Sequence, residues 1–392
     1  MISLSERLAT VKPSATIAVK QEAERLKKKG VDIIDFGPGE PDFDTPENIK
    51  RAAQKAIREN LSHYLPTRGL PRLTTAVAAR YRDLYGSDYD GAEVLIACGA
   101  KNALFAAAMA LFGPGDEVIV PDPYWVSFPE QVRLAGATPV FLATPEQDGF
   151  VARAEDCSRL ITPATKGIIL CSPSNPTGAI IPEDELAAFA DLALKRDLFL
   201  IFDECYERFI YDGETHASLA GQSRRLRDRL VLISSFSKSY AMTGYRVGYA
   251  VADRSILSAM ATVQGHDATH ATGIAQAAAL EALVGPQDAL ARMLAEYTVR
   301  RDLIVEQLRS IPSVTCTKPS GAFYAFAGVR GLYERLGVSD SLGVARVLLE
   351  NARIAVVPGE AFGREGYVRF SYALSPDRIR EGTERLRALV RS

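Results

Sequence analysis

The sequence predicts an α/β protein built on a mostly parallel seven-stranded sheet, with a smaller α+β domain. Two observations support this class. Short apolar runs alternate with stretches of helical periodicity through the middle of the chain, and these runs are continuously apolar, as in strands covered on both faces. After about residue 290, one long amphipathic stretch is followed by short strands, which is typical of a separate α+β unit.

Each element follows from its own run of residues. The predicted strands of the sheet are 94–98, 117–121, 139–142, 167–171, 198–203, 230–234 and 247–251. The clearest predicted helices are 15–29, 101–112, 183–196 and 288–311. The smaller domain adds the short strands 322–326 and 367–373. These elements predict an N-terminal arm with part of the small domain (1–45), a large domain (46–290) and a small C-terminal domain (291–392).

Composition and charge exclude several classes of function. The 392 residues are 47% hydrophobic and 24% charged, with a formal net charge of -2, so no strong attraction to nucleic acid or to an anionic membrane is expected. No apolar run approaches the roughly 20 residues that span a bilayer, and the N-terminus lacks the apolar core of a secretory signal. Five scattered cysteines without a CxxC pair indicate reduced thiols in a cytoplasmic protein and argue against a metal site.

Ligands bind beyond the carboxyl ends of parallel strands, so the residues that follow each strand are the candidates for a site. Gly99, Ala100 and Lys101 follow the first strand of the sheet and lead into a helix. Backbone N–H groups at a helix N-terminus bind anions, most often phosphate. Taken alone, Gly99 is better explained by a tight strand-to-helix turn.

Two further strands end in polar side chains. Asn175 lies between prolines in "SPSNPTG", where a rigid turn could aim its amide at a ligand. Asp203 emerges from a buried strand and is followed three residues later by Tyr206. The Asp203 carboxylate could cap a helix, but a carboxylate that leaves a buried strand usually has a cationic partner.

A polar loop follows the strand at 230–234 and places Lys238 among Ser235, Ser237 and Arg246. A lone lysine is normally a solvated surface residue, but this setting fits a Schiff-base lysine beside a phosphate clamp. Together with the other strand ends, the loop supplies the parts that pyridoxal 5'-phosphate requires. These are a lysine for covalent attachment, an acid for the ring nitrogen, and donors for the phenolate oxygen and the phosphate.

With these parts in place, the sequence resembles the class I aminotransferases, which are fold-type I pyridoxal-phosphate enzymes, and most of all their bacterial aspartate and aspartate/prephenate branch. The resemblance covers nearly the whole chain. The motifs that carry it are LATVKPSATIAVK (8–20), GEPDFDTP (39–46), PYWVSFPE (123–130), SPSNPTGA (172–179), DECYE (203–207), SKSYAMTGYRVGYA (237–250), SGAFYAF (320–326) and VRFSYA (368–373).

The resemblance implies pyridoxal 5'-phosphate as the cofactor, bound by the large domain. Lys238 would hold it covalently and act as general base, and Asp203 would keep the ring nitrogen protonated. The other implied cofactor contacts are Tyr206 and Asn175 at the phenolate oxygen, Trp125 on the ring, and Ser235, Ser237, Arg246 and the backbone of Gly99, Ala100 and Lys101 at the phosphate. The implied reaction is a ping-pong transfer of an amino group from an L-amino acid to a 2-oxo acid.

Substrate and partner contacts are implied in the same way. Arg369 would clamp the substrate α-carboxylate, and Gly39 would let the backbone approach that group, beside Trp125 and Asn175. Lys101 could recognise a distal carboxylate. Tyr64 would reach the cofactor phosphate of a neighbouring subunit, which implies a homodimer with shared active sites.

The segment "QGHDATHATG" (264–273) departs from the family pattern, because His266, Asp267 and His270 stand where the branch is rich in Gln, Ser, Thr and Asn. In this family the segment borders the substrate pocket of the partner subunit. We therefore expect His266, and with less support His270, to help select the far end of the substrate. The alternative is that both histidines are hydrogen-bonded interface residues.

The same segment leaves two other functions open. New acid–base groups near the pocket could redirect the cofactor to elimination, replacement, cyclisation or oxidation of an amino acid. His266 and His270, spaced i and i+4, could instead bind zinc on one face of a helix. Asp267 stands where a zinc protease would have Glu, and no third ligand is suggested, so the zinc hypothesis has the least support.

Overall fold

The computed structural model describes residues 5–11 and 15–391. Its strands are β1 (Ile34–Asp35), β2 (Val94–Ala97), β3 (Glu117–Asp122), β4 (Thr138–Ala143), β5 (Thr165–Cys171), β6 (Phe199–Asp203), β7 (Leu230–Ser235), β8 (Gly248–Ala252), β9 (Thr315–Cys316), β10 (Tyr324–Gly328), β11 (Ile354–Ala355), β12 (Val357–Pro358) and β13 (Tyr367–Ser371). Its helices are α1 (Ala15–Lys28), α2 (Glu47–Arg58), α3 (Pro71–Tyr85), α4 (Ala100–Leu111), α5 (Ser127–Leu134), α6 (Ala154–Ser158), α7 (Glu183–Arg196), α8 (Ser223–Leu226), α9 (Arg254–Asp267), α10 (Gly273–Val284), α11 (Asp288–Arg309), α12 (Tyr333–Leu336), α13 (Ser341–Asn351) and α14 (Pro376–Arg391).

The central sheet has seven strands in the order β2-β8-β7-β6-β5-β3-β4. The strands from β7 to β4 run parallel to one another, whereas β8 runs antiparallel to both of its neighbours. Every predicted strand of the sheet overlaps an observed one. The prediction of a mostly parallel seven-stranded α/β sheet is therefore confirmed.

Helices cover both faces of this sheet, which explains why its strands are apolar without alternation. In β6, Ile201 packs into one apolar core, and Leu200 and Phe202 pack into a second core on the opposite face. Side chains alternate along a strand, so the Asp203 side chain points to the same face as that of Ile201. The side chain of the next residue, Glu204, points to the same face as that of Phe202. This division places the carboxylates of Asp203 and Glu204 on opposite faces of the sheet.

A second sheet lies in the C-terminal part of the chain, with four antiparallel strands in the order β12-β13-β10-β9. The short strand β1 pairs in parallel with β11, which ties the segment before α2 to the C-terminal part. This pairing supports the proposal that the range 1–45 contributes part of the small domain. Residues 1–4 and 12–14 of that range lie outside the described residues. Among the helices in the described ranges, none combines the length and the apolar character that a membrane crossing requires.

Candidate active site

A cavity of about 610 Å³ opens at the carboxyl edge of the central sheet. It gathers residues that are far apart in the sequence, as expected for the edge where parallel strands end. The predicted site residues that line it are Gly39, Ala100, Lys101, Trp125, Asn175, Asp203, Tyr206, Ser235, Ser237, Lys238, Arg246 and Arg369. Val126, Cys171, Cys205 and Tyr324 complete the wall and were not predicted. The sequence therefore identified most of the cavity.

Lys238 follows β7 and extends its amine into the cavity. Its Nζ donates a hydrogen bond to the carbonyl oxygen of Gly39, at 2.5 Å. Burial lowers the pKa of Lys238 to about 8, against a smaller opposing effect of nearby acidic groups. A lysine with such a pKa carries an appreciable neutral fraction near neutral pH, which is the form that attacks a carbonyl carbon.

Asp203 ends β6 with its carboxylate at the cavity and only 5% of the residue exposed. Its Oδ1 accepts a hydrogen bond from the Cys205 N–H, and no salt bridge to it is found within the described ranges. Burial raises the pKa of Asp203 to about 6. A buried carboxylate that forms no salt bridge within the described ranges fits a ligand that brings a protonated ring nitrogen.

The start of α4 forms an anion cradle. Gly99 precedes the helix with φ 88°, and a Cβ there would lie 2.5 Å from Nη2 of Arg246, so a side chain would displace that guanidinium. Arg246 is held by the carbonyls of Thr243 and Cys98, at 2.9 and 3.2 Å. The buried Ser235 and Ser237 lie on the same wall of the cavity. The N-terminus of α4, the Arg246 guanidinium and the two serine hydroxyls together suit a phosphate.

Arg369 lies on β13 and is 2% exposed. It donates from Nη1 to Asn175 Oδ1 at 2.9 Å and from Nη2 to the Gly37 carbonyl at 2.7 Å, and its guanidinium lies 4.4 Å from the centre of the Tyr324 ring. Its Nε is buried and has no partner in the part of the chain that is described. A buried cation paired only with neutral acceptors is a ready site for a ligand carboxylate.

Tyr324 is the functional candidate that the sequence analysis missed. Its hydroxyl lies 2.6 Å from that of Tyr206, and a Cβ on Gly39 would lie 2.8 Å from it. Tyr324 therefore connects Tyr206, Gly39 and Arg369. The motif SGAFYAF, which contains Tyr324, was recognised, but the periodicity of β10 does not show which of its side chains faces a ligand.

Trp125 and Lys101 close the remaining side of the cavity. The Lys101 Nζ lies 4.9 Å from the centre of the Trp125 ring, in cation–π contact. Burial, together with the charge of Arg246, lowers the pKa of Lys101. Lys101 thus presents a side-chain charge at the cavity in addition to its backbone at the phosphate cradle.

Three predicted site residues do not line the cavity within one chain. Gly99 is the residue immediately before α4, the helix whose start forms the anion cradle. Tyr64 is 89% exposed on the loop after α2, and His266 is exposed in the last turn of α9. A role for Tyr64 or His266 at an active site therefore requires a second subunit.

The two histidines do not lie one turn apart on a single helix, as the zinc alternative required. α9 ends at Asp267, so His266 is helical and His270 is not. The Nε2 of His270 accepts a hydrogen bond from the Leu65 N–H at 3.1 Å, and its Nδ1 lies 2.8 Å from the carbonyl oxygen of Ala271. Both ring nitrogens of His270 are thus occupied by backbone groups, which supports the structural interpretation of this residue.

Fold and cavity together define a pyridoxal-phosphate-dependent enzyme of fold type I. The lysine, the buried aspartate, the anion cradle and the unpartnered arginine nitrogen all fit that cofactor with an amino-acid substrate.

The family model of aminotransferase class I and II matches residues 31–386, and the chain belongs to this family. It is 42% identical to an aspartate aminotransferase of Geobacillus stearothermophilus, over 98% of each chain. It is 41% identical to the aspartate/prephenate aminotransferase of Cereibacter sphaeroides, over 99% of this chain and 98% of the relative. The structure of aspartate aminotransferase from Thermus thermophilus with maleate superposes with a TM-score of 0.93 at 40% identity, covering 99% of this chain and 100% of that one.

These relatives confirm the prediction of a pyridoxal-phosphate-dependent aminotransferase. The enzyme moves an amino group between an amino acid and a 2-oxo acid. All three relatives are aminotransferases, which favours transamination over the elimination, replacement, cyclisation or oxidation that the 264–273 segment had left open.

Proposed function

We propose that the preferred substrates are a dicarboxylic amino acid such as aspartate and the matching 2-oxo acids. The observation that carries this proposal is the charge of the cavity wall, where Lys101, Lys238, Arg246 and Arg369 stand against Asp203 alone. A bound phosphate and two substrate carboxylates would balance this excess of positive charge. Relatives named for aspartate, one of them solved with the dicarboxylate maleate, support the same choice.

Within this proposal, the two substrate carboxylates have different partners. Arg369 binds the α-carboxylate through its guanidinium edge, because its buried Nε has no other acceptor in the described ranges. Lys101 binds the distal carboxylate from the Trp125 side of the cavity. Asn175 holds the Arg369 guanidinium in place through Oδ1, and Gly39 keeps the opposite wall free of a side chain.

The cofactor, when bound, supplies the carbonyl group that accepts the substrate amine and a ring that withdraws electrons. Asp203 holds the proton at the ring nitrogen, since its buried carboxylate gains a cationic partner there. Lys238 holds the cofactor covalently and then moves the substrate α-proton, a task that suits an amine whose pKa is about 8. Tyr206, positioned by Tyr324, and Asn175 donate to the phenolate oxygen.

We also propose a homodimer with shared active sites. The hydroxyl of the exposed Tyr64 then donates to the cofactor phosphate bound by the partner subunit, and the exposed His266 borders the far end of the partner's substrate. Five free cysteines support a cytoplasmic location, since disulfides are rare in that compartment.

A second candidate substrate is a bulkier 2-oxo acid such as prephenate, which appears in the name of the Cereibacter sphaeroides relative. A second chamber of about 640 Å³ adjoins the cavity and shares Lys101, Val126 and Arg246 with it. Its wall is partly apolar, with Phe105 and Leu342 among its residues. This chamber gives room for a substrate larger than a four-carbon acid.

A donor screen tests the substrate proposal. Each amino acid is added to the holoenzyme, and the cofactor absorbance reports whether the amino group has been transferred. Aspartate or glutamate should convert the cofactor fastest, and Lys101→Met should raise KM for these donors about tenfold while changing KM for alanine little. A screen in which no dicarboxylic donor reacts would overturn the proposal.

His266 is tested separately with His266→Gln. The proposal expects a change in the ratio of kcat/KM between dicarboxylic and other donors, with the cofactor content of the protein unchanged. An unchanged ratio would show that His266 does not select the substrate.

A further inference from the structure

The segment 264–276, here called the bracing segment, holds the backbone of the loop 64–70, here called the Tyr64 loop. Gln264 donates from Nε2 to the carbonyl of Thr67 at 2.8 Å, and Gln276 accepts at Oε1 from the Leu70 N–H at 2.7 Å. Both glutamines are fully buried. The middle and the end of the Tyr64 loop are therefore fixed by side chains that lie about 200 residues away in the sequence.

His270 fixes the beginning of the same loop. Its Nε2 accepts a hydrogen bond from the Leu65 N–H at 3.1 Å, so this nitrogen carries a lone pair rather than a proton. The proton is then on Nδ1, which donates to the Ala271 carbonyl at 2.8 Å. The bond at Ala271 sets both the tautomer and the orientation of the ring, as in other neutral histidines that accept at one nitrogen.

The same ring contacts Tyr64 itself. The two ring centres are 5.9 Å apart and the planes are at 88°, an edge-to-face arrangement. Tyr64 is the most exposed of the large hydrophobic residues in the described ranges, at 89%. An exposed aromatic side chain would normally sample several rotamers, whereas this one is attached to a fixed backbone and packed against a fixed ring.

We propose that His270 is a positioning residue for cofactor binding. By accepting the Leu65 N–H, it fixes the beginning of the Tyr64 loop and so holds the Tyr64 hydroxyl where the partner subunit binds the cofactor phosphate. This inference rests on the proposed dimer and on the proposed role of Tyr64. It assigns to the bracing segment a function in cofactor retention across the subunit interface, through a residue that does not itself touch the cofactor.

The hydrogen bond to Leu65 requires an acceptor atom at the position of the His270 Nε2. A glutamine can place its Oε1 near the position of the histidine Nε2 and can still accept from Leu65, whereas an asparagine reaches only the position of Nδ1. The two amides have the same chemistry and differ by one methylene group. They are therefore a matched pair that separates the hydrogen bond to Leu65 from general effects of removing the histidine.

The test measures the dissociation of the aminated cofactor from the holoenzyme, after conversion with an amino donor, by absorbance of the released cofactor. Tyr64→Phe should weaken retention about tenfold or more, as expected for a hydrogen bond to a charged group. His270→Asn should weaken it about fivefold, and His270→Gln should stay within about twofold of the wild type. The double variant Tyr64→Phe, His270→Asn should be no weaker than Tyr64→Phe alone, because both changes remove one contact.

The outcomes separate the inference from the proposal beneath it. If Tyr64→Phe leaves retention unchanged, the role of Tyr64 is wrong, and the role of His270 falls with it. If Tyr64→Phe weakens retention, the shared site stands. The inference about His270 is then overturned by either of two results: the Gln and Asn variants at position 270 retain the cofactor equally well, or the effects of the Tyr64 and His270 changes multiply in the double variant. Thermal unfolding of each variant reports any general loss of stability.

Discussion

Asp203 and Glu204 are neighbours in the sequence, but their carboxylates belong to two different regions on opposite faces of the central sheet. Asp203 lines the cavity, and its Oδ1 accepts a hydrogen bond from the Cys205 N–H. Glu204, 0% exposed, accepts from the Tyr81 hydroxyl at 3.0 Å and lies 2.7 Å from Nε2 of His216. Beside it, Glu207 bonds to Arg80 at 2.6 Å and to Tyr85 at 3.0 Å.

The difference lies in how charge is balanced. In the cluster on the Glu204 face, the protein itself supplies the partners: burial alone would raise the pKa of Glu207, but Arg80 and His216 bring it below its usual value. At the cavity, burial raises the pKa of Asp203 to about 6, and Arg369 keeps a buried Nε without a partner among the described residues. The carboxylates of the Glu204 cluster are thus paired within the fold, although the buried Nδ1 of His216 has no partner among the described residues, whereas the charges at the cavity are left for a ligand to pair.

The largest effect is expected for Lys238→Ala. This change removes both the covalent attachment and the group that moves the α-proton, of which the proton transfer alone is typically worth about 10²- to 10⁴-fold. We expect kcat to fall by more than about 10⁴-fold, measured by a coupled transamination assay, with the unfolding free energy of the cofactor-free protein little changed or increased. A variant that retains more than a few per cent of wild-type activity would remove Lys238 from the mechanism.

Arg369→Lys should lower kcat/KM by about 10²- to 10³-fold, because a lysine cannot form the two parallel bonds to the α-carboxylate. Most of the loss should appear as a higher KM for every amino donor. Arg301→Lys is the matched control, since Arg301 is also fully buried but pairs with Asp212, with bonds of 2.9 and 2.8 Å. Equal effects of the two changes on KM would contradict the assignment.

Asp203→Asn should separate activity from stability. The folded pKa of about 6 lies above the ordinary 3.8, so the carboxyl binds its proton more tightly when folded, and stability falls as pH rises through this interval. Above pH 6 the cost reaches about 2–3 kcal/mol, which Asn should remove from the cofactor-free protein.

Chemical unfolding of cofactor-free wild type and variant at pH 4 and pH 8 measures this effect. The variant should gain stability at pH 8 and lose the pH dependence contributed by Asp203. In the holoenzyme, kcat should fall by about 10²-fold or more, since the proton on the ring nitrogen is no longer stabilised. An unchanged difference between the two pH values would show that Asp203 is not the source of the slope.

Glu204→Gln should have the smallest effect on catalysis and the opposite effect on stability. The amide replaces one acceptor oxygen by a donor, so either the Tyr81 hydroxyl loses its acceptor or His216 must change its tautomer to accept from the amide, beside a fully buried side chain. We expect a loss of about 2–3 kcal/mol in unfolding free energy and a change in kcat within about threefold. A fall in kcat as large as that of Asp203→Asn would mean that the two faces of the sheet are not functionally separate.

Much of the fold and of the cavity could be predicted because the signals were local. The apolar runs that became β2 to β8 were visible as strands. Four functional side chains lie at the end of one of these strands or within four residues after it, namely Trp125, Asn175, Asp203 and Lys238. Parallel strands bring their carboxyl ends to one edge, so Asn175, Asp203 and Lys238 had to lie near one another once the sheet was recognised.

The sequence by itself thus determined the class of fold, the family and most of the residues that line the cavity, since periodicity, turn chemistry and motif spacing act over short stretches of chain. Only the tertiary structure decided which distant groups meet. It joined Arg369 to Asn175 by a hydrogen bond between residues 194 positions apart, and Tyr81 to Glu204 by one between residues 123 positions apart. It also ended α9 at Asp267, which separated His266 from His270 and brought His270 to Leu65. Such pairings depend on how whole elements pack, and no local pattern of residues encodes them.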